Sequence, residues 1–132
     1  MANLMYLGPE WAEEAQKRLS VELTPENMHH TTSSMSNIYQ NTPDGKERFL
    51  FIAFEDGKVS KFEVGEGEPP AAEFKIIADY DTFAKISRGE LGAVRALTSR
   101  KLTLRGNMAK AMRLAPRVDR MNKVLASIPT DY

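Results

Sequence analysis

Not one of the 132 residues is cysteine. That absence removes a disulfide framework, a thiolate nucleophile and cysteine-ligated zinc. An excess of charge is missing as well: Lys plus Arg number 18 and Asp plus Glu number 18. No net field therefore draws nucleic acid, an anionic membrane or an acidic substrate to the chain. No apolar run approaches the roughly 20 residues that a membrane span needs. Residues 1–9 carry neither the basic segment nor the apolar stretch of a signal peptide, so none is expected. A cytoplasmic protein fits these absences. Nothing marks a domain boundary. A chain of this length buries about two-thirds of its unfolded surface, so residues 1–132 are expected to form one domain.

Catalytic patterns are equally scarce. His29 and His30 are adjacent and on a strand would face opposite ways, which does not suit one metal. Ser33, Ser34 and Ser36 lack the Gly-x-Ser-x-Gly elbow of a nucleophile. Gly65-Glu66-Gly67 is followed by acidic residues and prolines that would repel phosphate. Asp79 and Asp81 sit at a strand-to-helix junction, where Asp81 reads as a helix cap and Asp79 as a turn residue. No cofactor is called for.

What the sequence does contain is a regular succession of elements. Gly8-Pro9-Glu10 starts a helix, with proline at its first position and acidic residues near its positive end. Trp11, Ala15 and Leu19 give it one apolar stripe, and Thr24-Pro25 ends it. Strands are expected over 35–40, 48–54, 58–64, 73–78 and 101–105. Asp56-Gly57 makes a tight hairpin, and residues 65–72 make a loop rich in Gly, Pro and Glu. Short helices are expected over 81–88, stopped by Gly89, and over 91–98. A longer helix runs from about Met108 to Ser127, interrupted near Pro116.

Two of these elements are unusual. The strand Phe49-Leu50-Phe51-Ile52-Ala53-Phe54 is apolar on both faces, whereas a strand with one wet face alternates. Helices would cover one face; a second helical layer or a bound apolar ligand would cover the other. The last helix carries Met108, Met112, Met121, Leu125 and Ile128, and methionine adapts to irregular apolar shapes. Both features fit a plain two-sided core or a cavity wall. The C-terminal third is also basic, with Arg95, Arg100, Lys101, Arg105, Lys110, Arg113, Arg117, Arg120 and Lys123. Such charges either form a solvated helix face or meet anionic headgroups transiently. Without interleaved aromatics they do not suggest nucleic-acid binding.

The segment Phe74-Lys75-Ile76-Ile77-Ala78-Asp79-Tyr80-Asp81-Thr82-Phe83 resembles the fourth-strand-to-helix passage of the sterol carrier protein type 2 (SCP-2) family. Arg88-Gly89-Glu90-Leu91 is similar to that family's Gly-x-Leu turn. Ser99 to Met108, with Leu102, Leu104, Gly106 and Asn107, resembles its strand followed by Gly-Asn and the last helix. Ala109, Ala111, Met112 and Leu114 continue the likeness. Two positions depart from it: Arg100 stands where the family often has glycine, and Gly92-Ala93 where a proline often follows.

The resemblance implies an α+β fold, with a five-stranded, mainly antiparallel sheet covered by helices and an apolar tunnel between the two layers. It implies reversible, non-catalytic binding or transfer of a sterol, fatty acid, acyl-CoA or phospholipid, by a monomer or homodimer. The residues expected to line the tunnel are Phe49, Phe51, Leu91, Val94, Leu97, Met108, Met112, Met121 and Leu125, with Arg95 and Arg105 placed to orient a headgroup. Two other readings stay open: a groove for a partner helix or a second copy of the chain, and a small enzyme using His29 or His30.

Overall fold

A computed structural model describes residues 2–132. Eleven elements follow one another: β1 (Leu4–Met5), α1 (Pro9–Glu22), β2 (Ser33–Gln40), β3 (Arg48–Glu55), β4 (Lys58–Glu66), β5 (Phe74–Asp79), α2 (Tyr80–Ser87), α3 (Ala93–Thr98), β6 (Thr103–Arg105), α4 (Met108–Ala126) and β7 (Thr130–Asp131). Five strands form the main sheet in the order β4-β3-β2-β5-β6. The pairs β2·β3, β3·β4 and β5·β6 are antiparallel, and β2·β5 is parallel. The sheet is therefore mixed and mainly antiparallel. β1 and β7 pair separately, in parallel, tying the two ends of the chain together.

The four helices lie on one face. α1 packs across the β3–β4 side, where Trp11 meets Phe62 with ring centroids 6.2 Å apart. Its stripe of Trp11, Ala15 and Leu19 is completely buried. α4 packs against α1, α2 and α3 rather than closely against the strands. Space remains beneath it, over β2, β5 and β6.

The outer face is covered without helices. β4 and β5 are separated in the sheet by β3 and β2, so the connection over residues 67–73 must cross them. Ser36 Oγ donates to Pro70 O at 2.8 Å, and Glu73 N–H donates to Ser34 Oγ at 2.8 Å. Beneath this strap Phe49, Phe51 and Ile38 are buried. Gly65 lets the Phe49 ring lie flat on its neighbour: a Cβ there would meet the ring at 2.9 Å. The doubly apolar strand thus has its second face closed by a proline-containing loop, not by a helical layer or a ligand. Proline suits that task because it leaves fewer backbone donors to satisfy.

Other expectations also change. Asp79, not Asp81, is the N-cap of α2; no side chain bonds the helix end, and Asp79 Oδ1 instead accepts from Asn41 Nδ2 at 2.8 Å. α4 is continuous through Pro116. His29 and His30 lie in the loop expected before β2, in a turn with φ of 51° and 53°. Arg100 has φ 60°, the left-handed region that a Cβ disfavours by roughly 1–2 kcal/mol.

Candidate functional site: a cavity between the sheet and three helices

The space under α4 is a cavity of about 100 Å³. Its floor is the inner face of the sheet: Met35, Asn37 and Tyr39 from β2, Leu50 and Phe54 from β3, Phe74 and Ile76 from β5, Leu104 from β6. Its roof comes from Phe83, Ile86 and Ser87 of α2, Ala93 and Leu97 of α3, and one side of α4. Alternation along each strand sends every second side chain into this space. Its walls are overwhelmingly apolar.

One end is closed. Tyr39, Phe83 and Ser87 are buried there, and Tyr6, brought in by β1, links them. The Tyr6 hydroxyl lies 2.8 Å from that of Tyr39 and 2.7 Å from Ser87 Oγ. Tyr39 and Phe83 pack with ring centroids 4.3 Å apart. Burial pushes the Tyr6 phenol far above its ordinary range, and the hydrogen bond to Ser87 offsets this only in part. Burial raises Tyr39 likewise, reinforced by neighbouring Tyr6. Both rings are neutral and offer hydroxyl dipoles, not charge. At another part of the rim, Ser33 and Lys110 both donate to the Glu73 carboxylate, at 2.6 and 2.5 Å. The Lys110 hydrogen bond, with Ser33 second, holds that carboxyl below its usual range and ties the start of α4 to the sheet.

Residues 16–119 match the model of the SCP-2 sterol transfer family. The chain belongs to that family. No curated protein matches the sequence. Among solved structures, a crystal structure of sterol carrier protein 2 is 20% identical, with a TM-score of 0.79 covering 93% of this chain and 98% of its own. A conserved hypothetical protein from Thermus thermophilus is 19% identical, with a TM-score of 0.77 over 99% and 94%. Palmitated SCP2L2 from Aedes aegypti is 18% identical, with a TM-score of 0.59 over 82% and 90%. These likenesses show the fold.

Of the nine residues expected to line the site of this SCP-2 chain, Leu97, Met121 and Leu125 face the cavity. Phe49 and Phe51 do not. They alternate with Leu50 and Ile52, so they point to the outer face under the residue 67–73 strap. Val94 and Met108 are substantially exposed, at 42% and 50%. Leu91 packs against the core without reaching the cavity. Met112 also stays out, and helical geometry explains why. Nine residues separate it from Met121, which at 3.6 residues per turn is about half a turn out of phase. The side of α4 that faces inward carries Ala111, Leu114, Ala115, Val118, Met121, Asn122 and Leu125, at spacings of three and four. Arg95 and Arg105 are exposed and lie outside the wall; the arginine that reaches it is Arg117.

Sequence reasoning missed Asn37, Tyr39, Ser87, Asn122 and Arg117. One signal was available: in Met35-Ser36-Asn37-Ile38-Tyr39, Asn37 shares a face with Met35 and Tyr39. Among the described residues no group of three His, Asp or Glu could hold a metal, and no helix is long and apolar enough to cross a membrane.

Proposed function

We propose that this SCP-2 family chain binds a lipid-like amphiphile reversibly, without changing it chemically, in the cavity beneath α4. The observation that carries this reading is unfilled apolar space of about 100 Å³ between the sheet and the helices, in a domain interior that normally packs as densely as an organic crystal. Each methylene buried contributes about 0.8 kcal/mol, so an alkyl chain offsets the cost of association without covalent chemistry. Three methionines in the wall, Met28, Met35 and Met121, can change rotamer to widen it around a longer guest. The shared fold of palmitated SCP2L2 supports a fatty-chain ligand. On α4, Arg113, Arg120 and Lys123 are exposed. We extend the reading to transient contact of this basic face with anionic headgroups, worth about 1 kcal/mol per charge near such a surface.

The test is displacement of a fluorescent fatty acid, with native mass spectrometry of the protein as purified. Co-purifying lipid-sized adducts and saturable, one-site displacement are the expected results. A protein that carries no adduct and gives no saturable displacement would refute the proposal.

A further inference from the structure

Across the middle of the sheet runs one row of paired residues on the inner face: Val64, Leu50, Asn37, Ile76 and Leu104, one from each strand. Four are apolar. The fifth, at the centre, is an amide. Asparagine is depleted in strands, and on apolar surroundings alone this position calls for Val, Ile or Leu. Asn37 is only 8% exposed, yet its Oδ1 has no hydrogen-bond partner. It faces the cavity. A buried acceptor without a donor is costly, and native proteins rarely tolerate one. A residue that breaks a local rule in this way marks a place where stability has been given up for function.

Resting on the lipid-binding reading above, we infer that Asn37 is the anchor for the polar end of the ligand, and that this end is an uncharged hydroxyl donating to Asn37 Oδ1. The neighbouring chemistry fits a neutral group. Asn122, Tyr39 and Ser87 also reach the cavity and are buried, and none carries charge. A carboxylate would bring only further acceptors to an oxygen that lacks a donor. The wall also holds one cation, Arg117, whose Nη1 donates to Arg113 O at 2.8 Å and whose Nε is buried without a partner; it is the competing anchor, for an anionic end, that the experiment separates from Asn37.

The experiment compares 1-dodecanol, its methyl ether and dodecanoate as displacers of one fluorescent fatty acid, with wild-type protein, Asn37→Leu and Arg117→Leu. Wild type should bind the alcohol about tenfold more tightly than the ether, the scale of one buried hydrogen bond. Asn37→Leu should abolish that ratio and leave ether binding within about twofold. Asn37→Leu should also raise the unfolding midpoint of the empty protein, because it removes an unpaired acceptor. In wild type, the Asn37 side-chain amide resonances should shift with the alcohol and not with the ether, a readout that needs no variant to fold. Equal binding of alcohol and ether overturns the inference and leaves the cavity reading intact. So does a ratio that survives Asn37→Leu, or dodecanoate preferred through Arg117. Failure of all three compounds to displace overturns both.

Discussion

Ala115 offers the most direct test of where a ligand sits. It lies on the inward side of α4, is 1% exposed and lines the cavity. Replacing it by phenylalanine places a ring in that space. An unfilled cavity of about 100 Å³ costs roughly 2 kcal/mol at about 24 cal/mol per Å³. Filling it recovers at most that amount, and rotamer strain of about 1–3 kcal/mol opposes the gain. The urea midpoint of the empty Ala115→Phe protein should therefore correspond to a change within about 2 kcal/mol of wild type. Ligand affinity behaves differently. A ring that displaces three methylenes removes about 2.4 kcal/mol of transfer energy, roughly a fifty-fold loss. The pair of measurements is a denaturation curve without ligand and a displacement titration with a fluorescent fatty acid. A folded Ala115→Phe protein that binds as tightly as wild type would refute the reasoning, because the guest would then lie somewhere other than beneath α4.

Three further outcomes follow from other parts of the fold. Phe51→Leu, under the outer strap, should lower stability by about 1 kcal/mol in a denaturation curve and leave ligand affinity unchanged; a weakened titration would return that face of β3 to the binding site. Arg100→Gly relieves a left-handed backbone at φ 60° and should raise stability by about 1 kcal/mol, read as a higher midpoint; a lower one would mean that the Arg100 side chain holds the turn. Tyr6 and Tyr39 have raised folded-state values, so below about pH 10 both states keep the proton and stability is unaffected. Above it the unfolded phenols ionise while the buried ones do not, and stability should fall by up to about 2.7 kcal/mol per pH unit for the pair. Tyr80 and Tyr132, also raised by burial, add to the fall; guanidinium midpoints between pH 8 and 11 measure it, and Tyr6→Phe should make it shallower.

The succession of strands and helices was legible because local chemistry agrees with the fold at nearly every junction. Pro9 opens α1, Gly57 turns the hairpin, and Gly89 with φ 79° stops α2. Two features resisted for reasons of geometry. A two-sided apolar strand reports that both faces are covered and says nothing about what covers them. That a loop closes the Phe49 and Phe51 face depends on strand order, because β4 and β5 must be connected across β3 and β2. Strand order is a long-range property that periodicity along the chain does not carry. The α4 wall failed through phase. Met108, Met112, Met121 and Leu125 look like one stripe when methionines are followed by eye, yet the stretch between Met112 and Met121 turns through about two and a half revolutions.

The site's polar residues were hidden for a different reason. A sequence search for chemistry favours charge, histidine and nucleophiles, and so settled on Arg95 and Arg105, which are exposed. In an apolar cavity the scarce resource is a neutral group left without a partner, because an unpaired charge there costs far more than an unpaired amide. Tyr39 and Ser87 each already hydrogen-bond to Tyr6. Asn37 has an acceptor to spare, at the centre of the apolar row from Val64 to Leu104. On the proposed reading, a floor of hydrocarbon with one open acceptor binds chains of many shapes through burial and selects among them by a single donor. Permissiveness toward the tail and discrimination at the polar end thus have separate physical sources, and substitutions at Ala115 and at Asn37 should separate them.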